Sequence, residues 1–431
     1  MRIRQEHGLG DSGPDIWFAH GNQSAPGRSW VPMAERGSAR ALIGPQAIVA
    51  RSHLASRCLW MLALASFAYV DWRTIRSPDA FGDLGVYLAA ARDYLHGVDP
   101  YSQRHLGFTD FIYPPSSLPM LAPLGLLSIR TAEVVFMVAT TLAAVAAVPV
   151  ALAAAGLNWR SWLTPAVILV VSILEPVRNA IWIGQVNTVV LLLEVLALLA
   201  ACRNRWSWSG AILGISFALK PVLLPLIILP LLLRRSRAVA VCVVVMAGLL
   251  LVGAATTTHW YRYFTVALPE QNLRVDAFWS LNGSLASLVR YLHIPELPVT
   301  ILRVLVAAVA GWLIWIRLRT GERTPVTTIE VAILIVTTTL LCAPVTYTPY
   351  AQFVIVPALP LLVTPASVLR SWVAWVGIYC VGSPDIRLLE HVSPVAANLR
   401  WTLGLMLILS AFLLPVLKQF RIRDSALNGA V

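Results

Sequence analysis

The feature that most constrains this chain is the series of apolar segments that fills it from about residue 57 to residue 417. Twelve stand out, near 57–72, 130–155, 163–177, 186–201, 209–219, 221–233, 238–258, 299–316, 325–345, 351–368, 371–383 and 399–417. A helix needs about 20 apolar residues to cross the hydrocarbon core of a bilayer. Several segments are shorter than that, so the pattern predicts an all-α polytopic membrane protein with about 12 spans, in the range 10–13. A thirteenth short run, 117–127, contains Pro119 and Pro123 and reads as a re-entrant or surface segment.

Composition agrees with this reading. Of the 431 residues, 58% are apolar and 13% charged, where soluble domains have about half and about a quarter. An ordinary soluble enzyme is excluded, and so is a disordered or collagen-like chain. The formal charge is +12, but the basic residues form no long runs, so nucleic acid is not an expected partner. Only two lysines occur, Lys220 and Lys418. The 5 cysteines form no CxxC pair and the 8 histidines no HExxH pattern, so no metal site is expected.

Residues 1–56 are polar and lack the early apolar core of a cleavable signal peptide. They read as a cytosolic, disordered tail, and 57–72 as an uncleaved anchor. With that tail inside, the segments assigned to the cytosol hold most of the arginine and the remainder is close to neutral. The positive-inside rule then gives an N-in, C-in topology with 418–431 as a second cytosolic tail. The membrane domain is 57–417. Its two long outer loops span about 73–116 and 259–298, both rich in aromatic residues. Within the first, Leu84, Tyr87, Leu88, Ala91 and Leu95 recur at helical spacing. They predict an amphipathic helix lying on the outer membrane surface.

Candidate chemistry lies near these loops. Asp83 opens the amphipathic helix, as an N-cap, a general base, or both. Lys220 sits inside an apolar run, where a charge is costly and marks a functional site by default. Pro221 disfavours helix at Lys220 and predicts a hairpin tip there. The ammonium either binds an anion or pairs with Glu194 or Glu175. Arg178, Gln185 and Asn187 lie on the turn between two further segments, where they line a cavity or cap helices. Tyr113 begins a Tyr-Pro-Pro stretch that ends the first loop and reads as a rigid extended entry into the membrane, and Asn282 lies in the second loop. Trp260, Tyr261, Tyr263, Phe264, Phe278 and Trp279 suit either sugar stacking or an interfacial aromatic belt. Between residues 57 and 417 no GxGxxG or P-loop offers a seat for a soluble nucleotide donor.

These motifs follow a familiar order. Asp83 comes after the first membrane segment. Then come YxxA…LxGxxPY from Tyr87 to Tyr101, YPP from Tyr113 to Pro115, GQxN from Gly184 to Asn187, and LKP with its Pro/Leu-rich continuation from Leu219 to Pro230. Over about residues 57–420 the chain resembles glycosyltransferase family 87 of the GT-C superfamily. The Pro/Leu run after Lys220, and Thr364–Tyr379, look most like the mycobacterial α-(1→3)-arabinofuranosyl-transferring members that branch arabinan. GQVN is more typical of the family's polyprenyl-phosphomannose-dependent mannosyltransferases.

The resemblance implies an inverting transfer in an actinobacterial plasma membrane, with the active site on the outer face. It implies a polyprenyl (decaprenyl) phosphate sugar donor, a glycan or glycolipid acceptor, and no cofactor. The sugar is D-arabinofuranose or, alternatively, mannose. Asp83 is then the base. Lys220, with Arg178 second, is the cation for the donor phosphate. Tyr113, Gln185, Asn187 and Asn282 are candidates for sugar and acceptor contacts. A lipid-linked-sugar transporter is the rival class, but the two halves of the chain show no internal repeat of the kind transporters carry.

Overall fold

A computed structural model describes residues 45–102, 111–269, 282–320, 323–383 and 394–417. Most of both expected tails, and Phe278 and Trp279, lie outside these residues. The chain divides into two units, Met1–Ile48 and Val49–Val431. The description below concerns the second.

The described residues are helical, and their one β pairing is an isolated bridge between Asn282 and Tyr347. The long helices are α1 (Pro45–Arg76), α4 (Ile129–Ala154), α10 (Ser236–Thr256), α11 (Glu296–Thr320), α12 (Pro325–Cys342) and α15 (Pro394–Ala411). Between them lie α2 (Gly82–Leu95), α3 (Ser117–Gly125), α5 (Leu163–Ile173), α6 (Glu175–Trp182), α7 (Asn187–Cys202), α8 (Trp206–Leu219), α9 (Ile228–Leu232), α13 (Gln352–Leu362) and α14 (Trp372–Gly382). Two 3₁₀ turns, Pro221–Ile227 and Thr348–Ala351, lead into α9 and α13.

Among the described residues six helices are long and apolar enough to cross a membrane. A seventh span arises if α5 and α6, bent by 63° at Leu174, count together. Five more apolar segments are helical but only 10–17 residues long. Proline accounts for part of the shortening. It removes a helix donor and clashes with the preceding turn, and Pro221 and Pro225 replace α-helix by a 3₁₀ turn just after Lys220.

Helix starts follow capping chemistry. Ser128 accepts a hydrogen bond from the Thr131 amide at the head of α4, and Thr324 one from Thr327 ahead of Pro325 in α12. The core runs through α12 and α13, which are buried on nearly every face. By contrast α1, α10 and α11 present Leu62, Leu64, Val244, Leu251, Val304 and Leu305 outward. Apolar faces of that extent are a liability in water and suit a lipid surround.

In α2, Leu84, Tyr87, Leu88 and Ala91 are buried and Leu95 is exposed. The helix packs against α3. Its C-terminal extension is tied to the segment after α10, where Arg262 pairs with Asp99 and the Thr258 hydroxyl donates to the Gly97 carbonyl.

Candidate active site

The site grows from the turn between α6 and α7. Gly184 follows the last residues of α6 with a φ of +71°, which a glycine adopts at little cost. Its amide donates to the Ile181 carbonyl and the Gln185 amide to the Ala180 carbonyl, the pair of bonds that closes a Schellman motif. Gln185 is thereby turned back over the helix end, and Asn187 starts α7. A Cβ on Gly184 would lie 2.7 Å from that of Leu84, so the glycine also allows α2 to approach.

That approach positions Asp83. The amides of Phe81 and Asp83, at the open N-terminus of α2, donate to the Trp182 and Ile183 carbonyls at 2.8 and 2.9 Å. Each helix end satisfies the other's orphan groups. Phe81, with a φ of 64°, holds the N-cap position, so Asp83 lies inside the helix and its carboxylate is not the cap. Its Oδ2 accepts from Gln185 Nε2 at 2.5 Å. Its Oδ1 accepts no hydrogen bond among the described residues. Burial raises the carboxyl above its ordinary 3.8, opposed by the positive field of Lys220 and by the Gln185 bond.

Lys220 ends α8 in an extended conformation, as the following Pro221 requires. Its Nζ donates to Asn187 Oδ1 at 2.7 Å and to the Tyr113 hydroxyl at 3.1 Å. It also lies over the rings of Tyr113 and Tyr350, 5.1 and 4.8 Å from their centroids. Neither carboxylate considered as its partner pairs with it. Glu175 pairs with Arg400 at 3.0 Å, and Glu194 is buried with Oε2 unpaired.

Asn187 Nδ2 donates to Gln185 Oε1 at 2.5 Å, which closes a continuous line: Asp83, Gln185, Asn187, Lys220, Tyr113. Tyr113 Oη lies 2.6 Å from Tyr87 Oη and extends the line by one group. The Tyr-Pro-Pro turn is clamped where this line needs it. Ser116 donates to the Ala218 carbonyl, two residues before Lys220, at 2.5 Å. On the other side Gly253 of α10 meets the turn, and a Cβ there would lie 2.4 Å from the Pro115 carbonyl carbon.

Five of the seven residues singled out from sequence are thus in one network. The other two are not. Arg178 is half-buried on the face of α6 that carries Glu175, Asn179 and Trp182, and it makes no hydrogen bond or ion pair among the described residues. Asn282 is buried, with its amide engaged by backbone. It donates to the Pro344 carbonyl at 2.9 Å and accepts from the Ser284 and Thr346 amides at 3.0 and 2.9 Å. It fastens the strand-like bridge that leads to Tyr347 and Tyr350. Trp260, Tyr261 and Phe264 are exposed and Tyr263 is buried. Tyr350, whose ring lies against Lys220, is not among the sequence candidates. Among the described residues no three His, Cys, Asp or Glu side chains gather as a metal-ligand set would require.

A carboxylate and a fixed ammonium joined by amides, with one carboxylate oxygen unoccupied among the described residues, have the chemistry to accept a proton at one end and stabilise negative charge at the other. Comparison with known proteins fits that chemistry. The chain is 29% identical over 329 residues to an alpha-(1->3)-arabinofuranosyltransferase of Mycobacterium tuberculosis, covering 74% of this chain and 75% of the relative. To the protein of that name from Corynebacterium glutamicum it is 24% identical over 350 residues, covering 79% and 81%. A polyprenol-phosphate-mannose-dependent alpha-(1-2)-phosphatidylinositol mannoside mannosyltransferase of M. tuberculosis is 29% identical over 184 residues, 38% of this chain and 42% of that one. No solved structure gives a significant match. The model of Glycosyltransferase family 87 matches residues 111–344, a segment that carries Tyr113, Gln185, Asn187 and Lys220. With more than half of its length in that match, the chain belongs to glycosyltransferase family 87.

Proposed function

We propose that this membrane glycosyltransferase moves D-arabinofuranose, with inversion, from a polyprenyl-phosphate donor to a cell-envelope glycan, an arabinan, on the outer face of the plasma membrane. In this reading about 12 helical segments carry the site, both termini are cytosolic, and α2 lies at the outer surface. The observation that carries the proposal is the unbroken hydrogen-bonded line from Asp83 to Lys220. The arabinofuranosyltransferase relatives, matched over three-quarters of their length, favour arabinose as the sugar.

The acceptor hydroxyl donates its hydrogen bond to Asp83 Oδ1. Its oxygen attacks the anomeric carbon as the bond from that carbon to the phosphate oxygen breaks. The bonding pair leaves on the phosphate, and the proton ends on Asp83. Burial makes Asp83 a stronger base than an exposed aspartate. The leaving phosphate is already a good anion and needs no general acid. Lys220 instead stabilises the charge that develops on it. The polyprenyl tail needs only an apolar groove, which suits a site walled by helices.

Mannose is the second reading, favoured by the GQVN turn and by the mannosyltransferase relative. The deciding assay supplies the purified protein in bilayers with an oligoarabinoside acceptor and either labelled decaprenyl-phospho-arabinose or polyprenyl-phosphomannose. Arabinosyl transfer is expected. Transfer from the mannosyl donor alone would replace this reading, and turnover with neither would remove it.

A further inference from the structure

Around Lys220 three hydrogen-bond donors are left that make no hydrogen bond among the described residues. The count begins with Tyr87 and Tyr113. Their hydroxyl oxygens share one hydrogen bond of 2.6 Å, and Lys220 donates to the Tyr113 oxygen at 3.1 Å. Two phenolic protons serve one bond, so one O–H is left over whichever tyrosine donates. The ammonium supplies the second surplus. It has three N–H groups and uses two, toward Tyr113 and Asn187. Tyr350 is the third. Its ring lies under the Lys220 cation, and its hydroxyl has no hydrogen-bond partner among the described residues. Asn187 Oδ1 already accepts from Lys220 and Gln185 Oε1 from Asn187, and the one carboxylate on this line, Asp83, accepts from Gln185 and from none of these donors.

Buried donors are normally satisfied, and spare donors beside a fixed cation call for an anion; Tyr87, Tyr113 and Lys220 are buried and Tyr350 is half-buried. The number matters as much as the sign. A phosphodiester joined to a sugar and a polyprenol has two non-bridging oxygens. Once the sugar leaves, the phosphate monoester has three. The third oxygen exists only as the glycosidic bond breaks, and a donor aimed at it acts on the transition state more than on the bound donor.

Resting on the reading that Lys220 takes the donor phosphate, we infer that the Tyr87–Tyr113 pair and Tyr350 complete a three-donor cradle matched to the departing phosphate monoester. Tyr350 is then a phosphate-binding residue, and Tyr113 faces phosphate and not sugar.

The test uses the full chain in nanodiscs with decaprenyl phosphate as the probe and decaprenol as its uncharged control. Tyr350→Phe keeps the ring beneath Lys220 and removes only the hydroxyl. Tyr113→Phe is the second variant. For each, decaprenyl phosphate binding is expected to weaken about tenfold, in line with the loss of one hydrogen bond to a charged group. The rate constant kcat should fall in parallel, with KM for the sugar donor within about twofold and decaprenol binding unchanged. Unchanged decaprenyl phosphate binding in both variants would overturn the cradle. So would an equal loss of decaprenol binding, which would mean altered packing. Lys220→Met separates the two ideas. If it weakens decaprenyl phosphate binding and the Phe variants do not, the cradle fails and the Lys220 reading stands. If it too has no effect, both fail.

Discussion

Asp83 and Glu330 are both carboxylates surrounded by apolar helices, and they are held in opposite ways. Glu330, on α12 and fully buried, accepts from Arg317 Nε at 2.7 Å, Ser367 Oγ at 2.8 Å and the Val368 amide at 2.9 Å. A second Arg317 nitrogen lies 2.7 Å from the same carboxylate. Every oxygen is used, and the charge is cancelled by one adjacent guanidinium. Asp83 accepts one side-chain hydrogen bond, from Gln185, and its countercharge Lys220 stands two amides away. The first arrangement is closed and joins α11, α12 and the turn before α14. The second is open at both ends. A closed network holds a fold together, whereas spare valences at both ends suit a group that must accept a proton and another that must face an anion.

The contrast is sharpest in the response to removing charge at each place. Asp83→Asn keeps shape and burial but leaves no base, so transfer should fall about 10³-fold, in the range for loss of a general base. The thermal midpoint in detergent should be near that of the parent. Wild-type turnover by a folded Asp83→Asn protein would break the assignment. Lys220→Met retains much of the apolar stem and removes the cation. It should lower kcat about 10²-fold, as for loss of one electrostatic stabiliser of a leaving group. Single-turnover kinetics at saturating donor would measure it, and an unaltered rate would return Lys220 to a packing role.

How far these roles could be read from sequence depended on local signals. Tyr113, Gln185, Asn187 and Lys220 each sit at a break in regular structure that a glycine or proline announces, and Asp83 lies in the first turn of α2. Gly184 closes the Schellman turn beneath Gln185 and Asn187. Pro221 forces Lys220 out of helix, and Pro114 and Pro115 make the turn beside Tyr113. Tyr350 also sits beside a proline, Pro349 in the 3₁₀ turn Thr348–Ala351, but its residue type hides it. An aromatic residue at the head of an apolar helix reads as an interfacial belt, and its partner Lys220 is distant in the chain. Arg178 and Asn282 stand out by residue type and by loop, which says nothing about which face of α6 is used or that backbone consumes the Asn282 amide. Helical character was legible along the whole apolar pattern. The division into spans was less so, because segments such as 209–219 and 221–233 are too short for hydropathy to say whether they cross.

Glu330→Gln tests the closed member of the pair. Breaking a buried ion pair leaves an uncompensated charge, here the partly exposed Arg317, and the lower end of the usual range applies. Stability should drop by about 3 kcal/mol. Turnover per folded molecule should be unchanged, because Glu330 belongs to a network that does not include the line from Asp83 to Lys220. Thermal unfolding together with active-site titration would separate the two quantities. A catalytic loss without a stability loss would contradict the distinction between closed and open networks.

The smallest expected effect probes the open member through its proton. As the base, Asp83 acts only when ionised, so on the acid side kcat/KM should decline tenfold per unit below the pKa of its carboxyl in the free enzyme. Burial places that limb above the ordinary 3.8, and Lys220 and Gln185 hold it down. Gln185→Leu removes one of the two restraints. A hydrogen bond donated to a carboxylate favours its charged form, so losing it raises the pKa and moves the limb to higher pH. At pH values above the limb the variant should retain most of its activity, and at values within it the deficit should grow. A limb that stays in place would mean that the Gln185 bond does not stabilise the base in its ionised form. A limb that moves to lower pH would mean that Gln185 excludes water from a carboxylate that water would otherwise solvate.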